Sequence, residues 1–108
     1  MSAETRLQEL GITLAAPGKP QGVYKPVVQV GDLLYLSGHG PIQADGKGMT
    51  GKLGVDLTVD QGKEAARLTA IALLTTLRGY LGSLDKVKRI VKTLGLVNMR
   101  RTSFSTRP

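Results

Sequence analysis

Two short apolar runs near the middle of the N-terminal half are separated by Gly31-Asp32, and together they predict a β-hairpin over residues 24–30 and 32–37. Glycine at the first central position of a two-residue loop accepts the positive φ that such a turn needs. Pro26 lacks a ladder donor, so the first strand begins at an edge or irregularly. Upstream, Leu7 and Leu10 recur at i,i+3 spacing within residues 3–10, which predicts a short helix capped by Ser2. Pro17, Gly18, Pro20 and Gly22 mark residues 15–22 as an extended connector. Residues 38–57 are glycine-rich and predict a loop, with a short strand near Met49–Lys52. The longest periodic segment covers residues 59–81. There Ala66, Ala70, Leu73, Leu74, Leu77 and Leu81 form an apolar stripe that predicts a helix lying against a sheet. Small residues at 65, 66, 70 and 72 permit close approach. Thr58-Val59-Asp60-Gln61 has the form of a capping box, with Thr58 as N-cap and Gln61 reaching back. Gly82 is the expected residue just past the helix. Ser83-Leu84-Asp85 predicts a turn, and Ile90, Val91, Leu94, Leu96 and Val97 predict a strand over 89–97. The order strand, strand, short strand, helix, strand is an α+β pattern with a helix across one sheet face.

A chain of 108 residues makes one domain. Three tyrosines, one phenylalanine and no tryptophan leave the core to Leu, Val, Ile and Ala. The absence of cysteine removes disulfides and thiolate metal sites. No stretch approaches the ~20 apolar residues of a membrane span. The N-terminus carries Glu4, Arg6 and Glu9 without an apolar segment, unlike a signal peptide, so a cytoplasmic location is expected.

The net charge of +7 is unevenly spread. Residues 1–98 hold twelve Lys/Arg and eight Asp/Glu, a balance of +4, and Arg100, Arg101 and Arg107 add the other +3. Lys86, Lys88, Arg89 and Lys92 form a local cluster. A nucleic-acid surface would need more charge and stacking aromatics beside it, so the cluster reads as a solvated edge and nucleic acid is not an expected partner.

The candidate chemistry lies where the second strand stops. Ser37, Gly38 and His39 sit at a point where backbone N–H groups become free, and such a point can hold a small anion or carboxylate. Each residue also has a plainer reading. Ser37 satisfies backbone groups at the strand end, Gly38 and Gly40 are turn glycines, and His39, the sole histidine, is a surface residue. A metal site would need further ligands, and a general base would need a partner that the sequence does not name. No metal or other cofactor is expected.

The hairpin also resembles a known family. Gly22-Val23-Tyr24, followed by a strand and then by Gly31-Asp32-Leu33-Leu34-Tyr35-Leu36-Ser37-Gly38-His39, is similar to the N-terminal pattern of the RidA/YjgF family, also known as endoribonuclease L-PSP. Leu10-Gly11-Ile12-Thr13-Leu14 resembles a subfamily with a longer N-terminus. The resemblance covers roughly residues 5–98. It implies a chorismate mutase-like mixed sheet with helices on one face, assembled as a homotrimer. It also implies an enamine/imine deaminase, a hydrolase that turns intermediates such as 2-aminoacrylate into a 2-keto acid and ammonia (2-iminobutanoate/2-iminopropanoate deaminase) without a cofactor. By resemblance Tyr24 is the site tyrosine, although it also reads as a strand-start residue packing on the core. Ser37 and Gly38 are the Ser-Gly of the cleft, and His39 stands where Gln is frequent. The expected partner is a small imine, enamine or 2-keto acid ligand, with no membrane.

The family pattern continues with a second helix and further strands, one bearing an Arg that binds the substrate carboxylate. Met99–Pro108 does not carry that pattern, and none of Arg67, Arg78 and Arg89 occupies the matching place. We read residues 1–98 as a partial domain with an N-terminal extension over 1–22, and residues 99–108 as an irregular basic tail. The tail reads as the product of truncation or of a shifted reading frame, the alternative being a natural short variant. The expectation is a fold whose C-terminal helix and strands are missing, marginal alone or dependent on oligomerisation, with deaminase activity impaired by loss of the Arg. Two other readings stand beside it: a non-catalytic binder of small carboxylates at subunit clefts, and RNA binding or cleavage.

Overall fold

The computed structural model describes residues 2–15, 25–42, 48–55 and 57–97. Its elements are α1 (Ala3–Leu10), β1 (Val27–Val30), β2 (Leu33–Leu36), α2 (Val59–Leu81) and a 3-10 turn at Leu84–Lys86. The chain divides into two compact units, Met1–His39 with Ile71–Ile90, and Gly40–Ala70 with Val91–Pro108.

In the first unit, α1 is closed at both ends by its own sequence. Ser2 Oγ accepts from the Thr5 N–H at 3.1 Å. Gly11 adopts φ +69°, its N–H donates to Gln8 O at 3.1 Å, and Ile12 N–H donates to Leu7 O at 3.0 Å. This is a Schellman turn, and it brings Ile12 against the buried Leu7, the hydrophobic contact that usually accompanies the motif. Leu10, expected to share the face of Leu7, is instead 54% exposed. The chain reverses at Gly11, so Ile12 takes the place beside Leu7. Leu14 and Leu84 complete the buried cluster, with Ile71, Leu74 and Leu77 of α2 packed against it.

The hairpin forms as its turn chemistry requires. Gly31 has φ +59°, the only positive φ in the two-residue loop, and the strands pair antiparallel with Val27 opposite Leu36 and Val30 opposite Leu33. Leu34 and Leu36 are half-buried on one face, whereas Val28, Val30, Leu33 and Tyr35 are exposed. Two polar links, one helical turn apart on α2, reach this hairpin. Tyr80 donates its hydroxyl to Gln29 Oε1 at 2.9 Å, and Thr76 meets His39.

The capping box at the start of α2 is complete. The Thr58 N–H donates to Gln61 Oε1 at 2.8 Å and the Gln61 N–H to Thr58 Oγ1 at 3.2 Å. At the far end Gly82 has φ +85° and donates to Arg78 O at 2.7 Å. No residue of α2 is fully buried. Ala66 and Ala70 are exposed, contrary to the stripe read from the sequence, and the half-buried positions run without a break from Ile71 to Arg78.

Among the described residues of the second unit Leu53 is the buried one, at 7% exposure. Leu53 and Leu57 form an isolated bridge, as do Ile42 and Gly48. Residues 49–52 form no strand, because pairing here stops at these single bridges. Residues 89–97 form no strand either. Their β-branched and leucine side chains suit a strand, but a strand exists only where a neighbour takes its N–H and C=O groups. Among the described residues none does, and Leu96 is 90% exposed. The described sheet is therefore two-stranded and antiparallel, within an α+β chain. The tail over 99–108 lies outside the described residues.

Candidate functional site

The strand end at Ser37 is built by the hairpin closing on itself. Ser37 N–H donates to Pro26 O at 2.9 Å, and Ser37 Oγ donates to the carbonyl of Lys25. A hydroxyl has one proton and two lone pairs. With its proton on Lys25, Ser37 faces any ligand as an acceptor. Both bonds also hold the irregular start of the first strand, where Pro26 has no N–H to give.

Gly38 follows with no side chain over its amide. Its N–H has no hydrogen-bond partner among the described residues, and it is exposed. A strand end therefore presents an oxygen acceptor and an N–H donor in successive residues.

His39 turns back toward α2. Its Nδ1 lies 2.7 Å from Ser37 O and its Nε2 lies 2.7 Å from Thr76 Oγ1, and the ring is part-buried. Neither nitrogen is free to act on a ligand in this arrangement. The surface histidine expected as the plainer reading is instead a bridge between the hairpin and the helix. Thr76 is the residue that sequence reading missed. Its only sequence signal is a third threonine on the same helix as Thr69 and Thr75, and those two bond back to their own helix, to Ala65 O at 2.9 Å and Ile71 O at 2.8 Å.

Tyr24 lies outside the described residues. Ser37, Gly38 and His39 are brought together as consecutive residues of one loop. Arg78 is paired with Glu4 at 2.9 Å and Arg67 with Glu64 at 3.3 Å, so these two arginines are engaged elsewhere. Among the described residues no three His, Asp or Glu side chains lie together as a metal site would require, and no helix is long and apolar enough to cross a membrane.

Comparison with known proteins gives a consistent result. Protein TCP17 of Trypanosoma cruzi is 44% identical over 92 residues, which cover 85% of this chain and 58% of that protein. The chain thus spans just over half the length of this curated relative. A crystal structure described as "a putative endoribonuclease" from Shewanella oneidensis MR-1 superposes with a TM-score of 0.89 at 31% identity, over 97% of this chain and 70% of that one. A protein of unknown function, Atu1372 from Agrobacterium tumefaciens, superposes with a TM-score of 0.68 at 39% identity, over 82% of this chain and 54% of that one. The profile of the family described as "YjgF/chorismate_mutase-like, putative endoribonuclease" matches residues 4–107, reaching past residue 98 where the resemblance read from the sequence stops. The fold, the relatives and the profile agree: the chain belongs to the YjgF/chorismate mutase-like family.

Proposed function

We propose that the chain acts on small carboxylate-bearing imines and enamines, hydrolysing them to a 2-keto acid and ammonia at reduced turnover. In this reaction an enamine such as 2-aminoacrylate tautomerises to its imine. Water adds to the imine carbon to give a carbinolamine, and the nitrogen takes a proton and leaves as ammonia while the carbon becomes a ketone. The chemistry needs an acceptor to orient the imine N–H and a donor for the oxygen that gains charge.

The observation that carries the reading is the strand end. Ser37 Oγ, with its proton already given to Lys25, is the acceptor suited to an imine N–H. The Gly38 N–H is the donor suited to a carboxylate or carbinolamine oxygen. The likeness of Gly31–His39 to the RidA/YjgF pattern supports the same reading, while the family's description names an endoribonuclease, the nucleic-acid alternative tested below. Reduced turnover follows in this reading because Met99–Pro108 does not carry the family's carboxylate-binding Arg pattern and none of Arg67, Arg78 and Arg89 occupies the matching place. The exposed apolar residues of the hairpin and of residues 90–97 support assembly with further copies, a homotrimer in this reading, with ligand in the clefts between subunits.

The test couples a pyridoxal-phosphate threonine dehydratase with serine, which releases 2-aminoacrylate, and adds semicarbazide as a trap. The purified chain should divert the intermediate to pyruvate, lowering semicarbazone and raising free keto acid. Unchanged semicarbazone yield over a wide range of chain concentration would overturn the reading. If 2-keto acids then still raise the melting temperature, the carboxylate-binding alternative replaces it. Steeply salt-dependent retention of RNA would favour the nucleic-acid alternative instead.

A further inference from the structure

We infer that Thr76 is a positioning residue, which anchors the His39 ring at Nε2 so that Nδ1–H stays on Ser37 O, and thereby holds the Ser37-Gly38 turn in place. Three observations carry this. First, Ser37 O is a carbonyl and can only accept, so the His39 Nδ1 at 2.7 Å must carry a proton. In the neutral ring, Nε2 is then the bare nitrogen. Second, the group 2.7 Å from Nε2 is the Thr76 hydroxyl, which can donate to a bare nitrogen and can turn to accept from a protonated one. Third, Thr76 differs from its neighbours on α2. Thr69 and Thr75 direct their hydroxyls to carbonyls four residues back, as threonines in helices commonly do. Thr76 directs its hydroxyl across to the loop.

The consequence concerns the role of His39. With Nδ1 donating to Ser37 O and Nε2 held by Thr76, the imidazole is a strut and not a general base. It ties the carbonyl of Ser37, and with it the Ser37–Gly38 peptide and the Gly38 N–H on that peptide, to the rigid helix. As an assignment to a ligand site this rests on the function proposed above; the tautomer does not.

The sole histidine makes the test direct. The full chain, without an affinity tag, is labelled with 15N, and the ring nitrogens are read from a long-range 1H–15N correlation at about pH 9, above the ordinary histidine range. The wild-type spectrum should show Nδ1 as a protonated nitrogen and Nε2 as a bare one. T76V should move the two resonances toward each other as tautomers mix, and should also shift the Gly38 amide. T76S should restore both. T75V, whose hydroxyl serves its own helix, should leave both unchanged. A wild-type ring protonated at Nε2 overturns the inference, even if T76V proves too unstable to measure. So does a T76V chain of unchanged helix content that keeps the wild-type pattern. The readout is independent of turnover: the Nδ1–H pattern without imine hydrolysis keeps the role of Thr76 and removes the proposed function, and hydrolysis with an Nε2–H ring does the opposite.

Discussion

One carboxylate of α1 is divided between two parts of the chain: Glu4 Oε1 lies 2.9 Å from Arg78 Nη2 on α2, and Glu4 Oε2 accepts the Leu84 N–H at 2.8 Å. The Glu4 N–H in turn donates to Asp85 Oδ1 at 2.9 Å. The N-terminal helix is thus fastened to the 3-10 turn, 80 and 81 positions further on, by reciprocal bonds at one residue. Hydrogen bonds to charged groups contribute more than neutral ones, and the Glu4 side chain is only 23% exposed. E4A should lower the unfolding free energy by about 1–2 kcal/mol. R78A, at a more exposed partner, should cost about 0.5 kcal/mol. Urea denaturation at a fixed protein concentration measures both, and equal losses would contradict the ranking.

Gly62 presents a second coupling. A methyl group at Gly62 would stand 2.6 Å from Leu53 Cδ2, and Leu53 is buried, at 7% exposure. In an open helix, Gly to Ala gains about 1 kcal/mol. Here the leucine tip must move and give up burial. G62A should therefore change stability by less than about 0.5 kcal/mol, and in an L53A background the full gain of about 1 kcal/mol should return. A double-mutant cycle checks this; equal effects of G62A in both backgrounds would contradict it.

Gly31 is where the hairpin depends on a missing Cβ. At φ +59° an L-residue other than glycine is strained, and G31A should destabilise by about 1–2 kcal/mol. The strand-pairing amide shifts of Val30 and Leu33 should report the loss, whereas retention of wild-type shifts and stability would place the turn in another conformation.

His39 should tolerate one replacement. The amide of glutamine offers both an N–H for Ser37 O and an oxygen for the Thr76 hydroxyl. H39Q should keep imine hydrolysis within a few-fold of wild type, whereas H39L should lose it. Equal activity of the two variants would show that the bridge has no part in the site.

Stability should depend on protein concentration. Leu94 is 79% exposed and Leu96 90%, and association that covers such residues raises the melting temperature as protein is added. Scanning calorimetry over a hundredfold range of concentration should show a rising midpoint. A constant midpoint would contradict assembly through these residues.

Local chemistry was readable in the sequence wherever a residue acts on its near neighbours. Thr58 with Gln61, Ser2 with Thr5, Gly31 in its turn and Gly82 after α2 all behave as their types and spacing require. What depends on a distant partner was not readable. Residues 89–97 carry strand-forming side chains, but no sequence pattern supplies the neighbour a strand needs, and among the described residues there is none. The stripe on α2 included Ala66 and Ala70 because periodicity alone does not say how far along a helix its covering extends. Ser37, Gly38 and His39 stand out in the sequence as consecutive residues of one motif, and their role in a site belongs to the function proposed above. Thr76 does not stand out, because 37 positions separate it from His39 and a threonine inside a helix looks the same whether it bonds back or across.

A 1H–15N titration of the full chain with 2-oxobutanoate, a stable member of the keto-acid product class, tests the Ser37-Gly38 strand end as a ligand site. Saturable shifts are expected at the Ser37, Gly38 and His39 amides, largest at the Gly38 N–H, the donor suited to a carboxylate oxygen. The absence of shifts at these three amides, or shifts confined to other parts of the chain, would contradict that role.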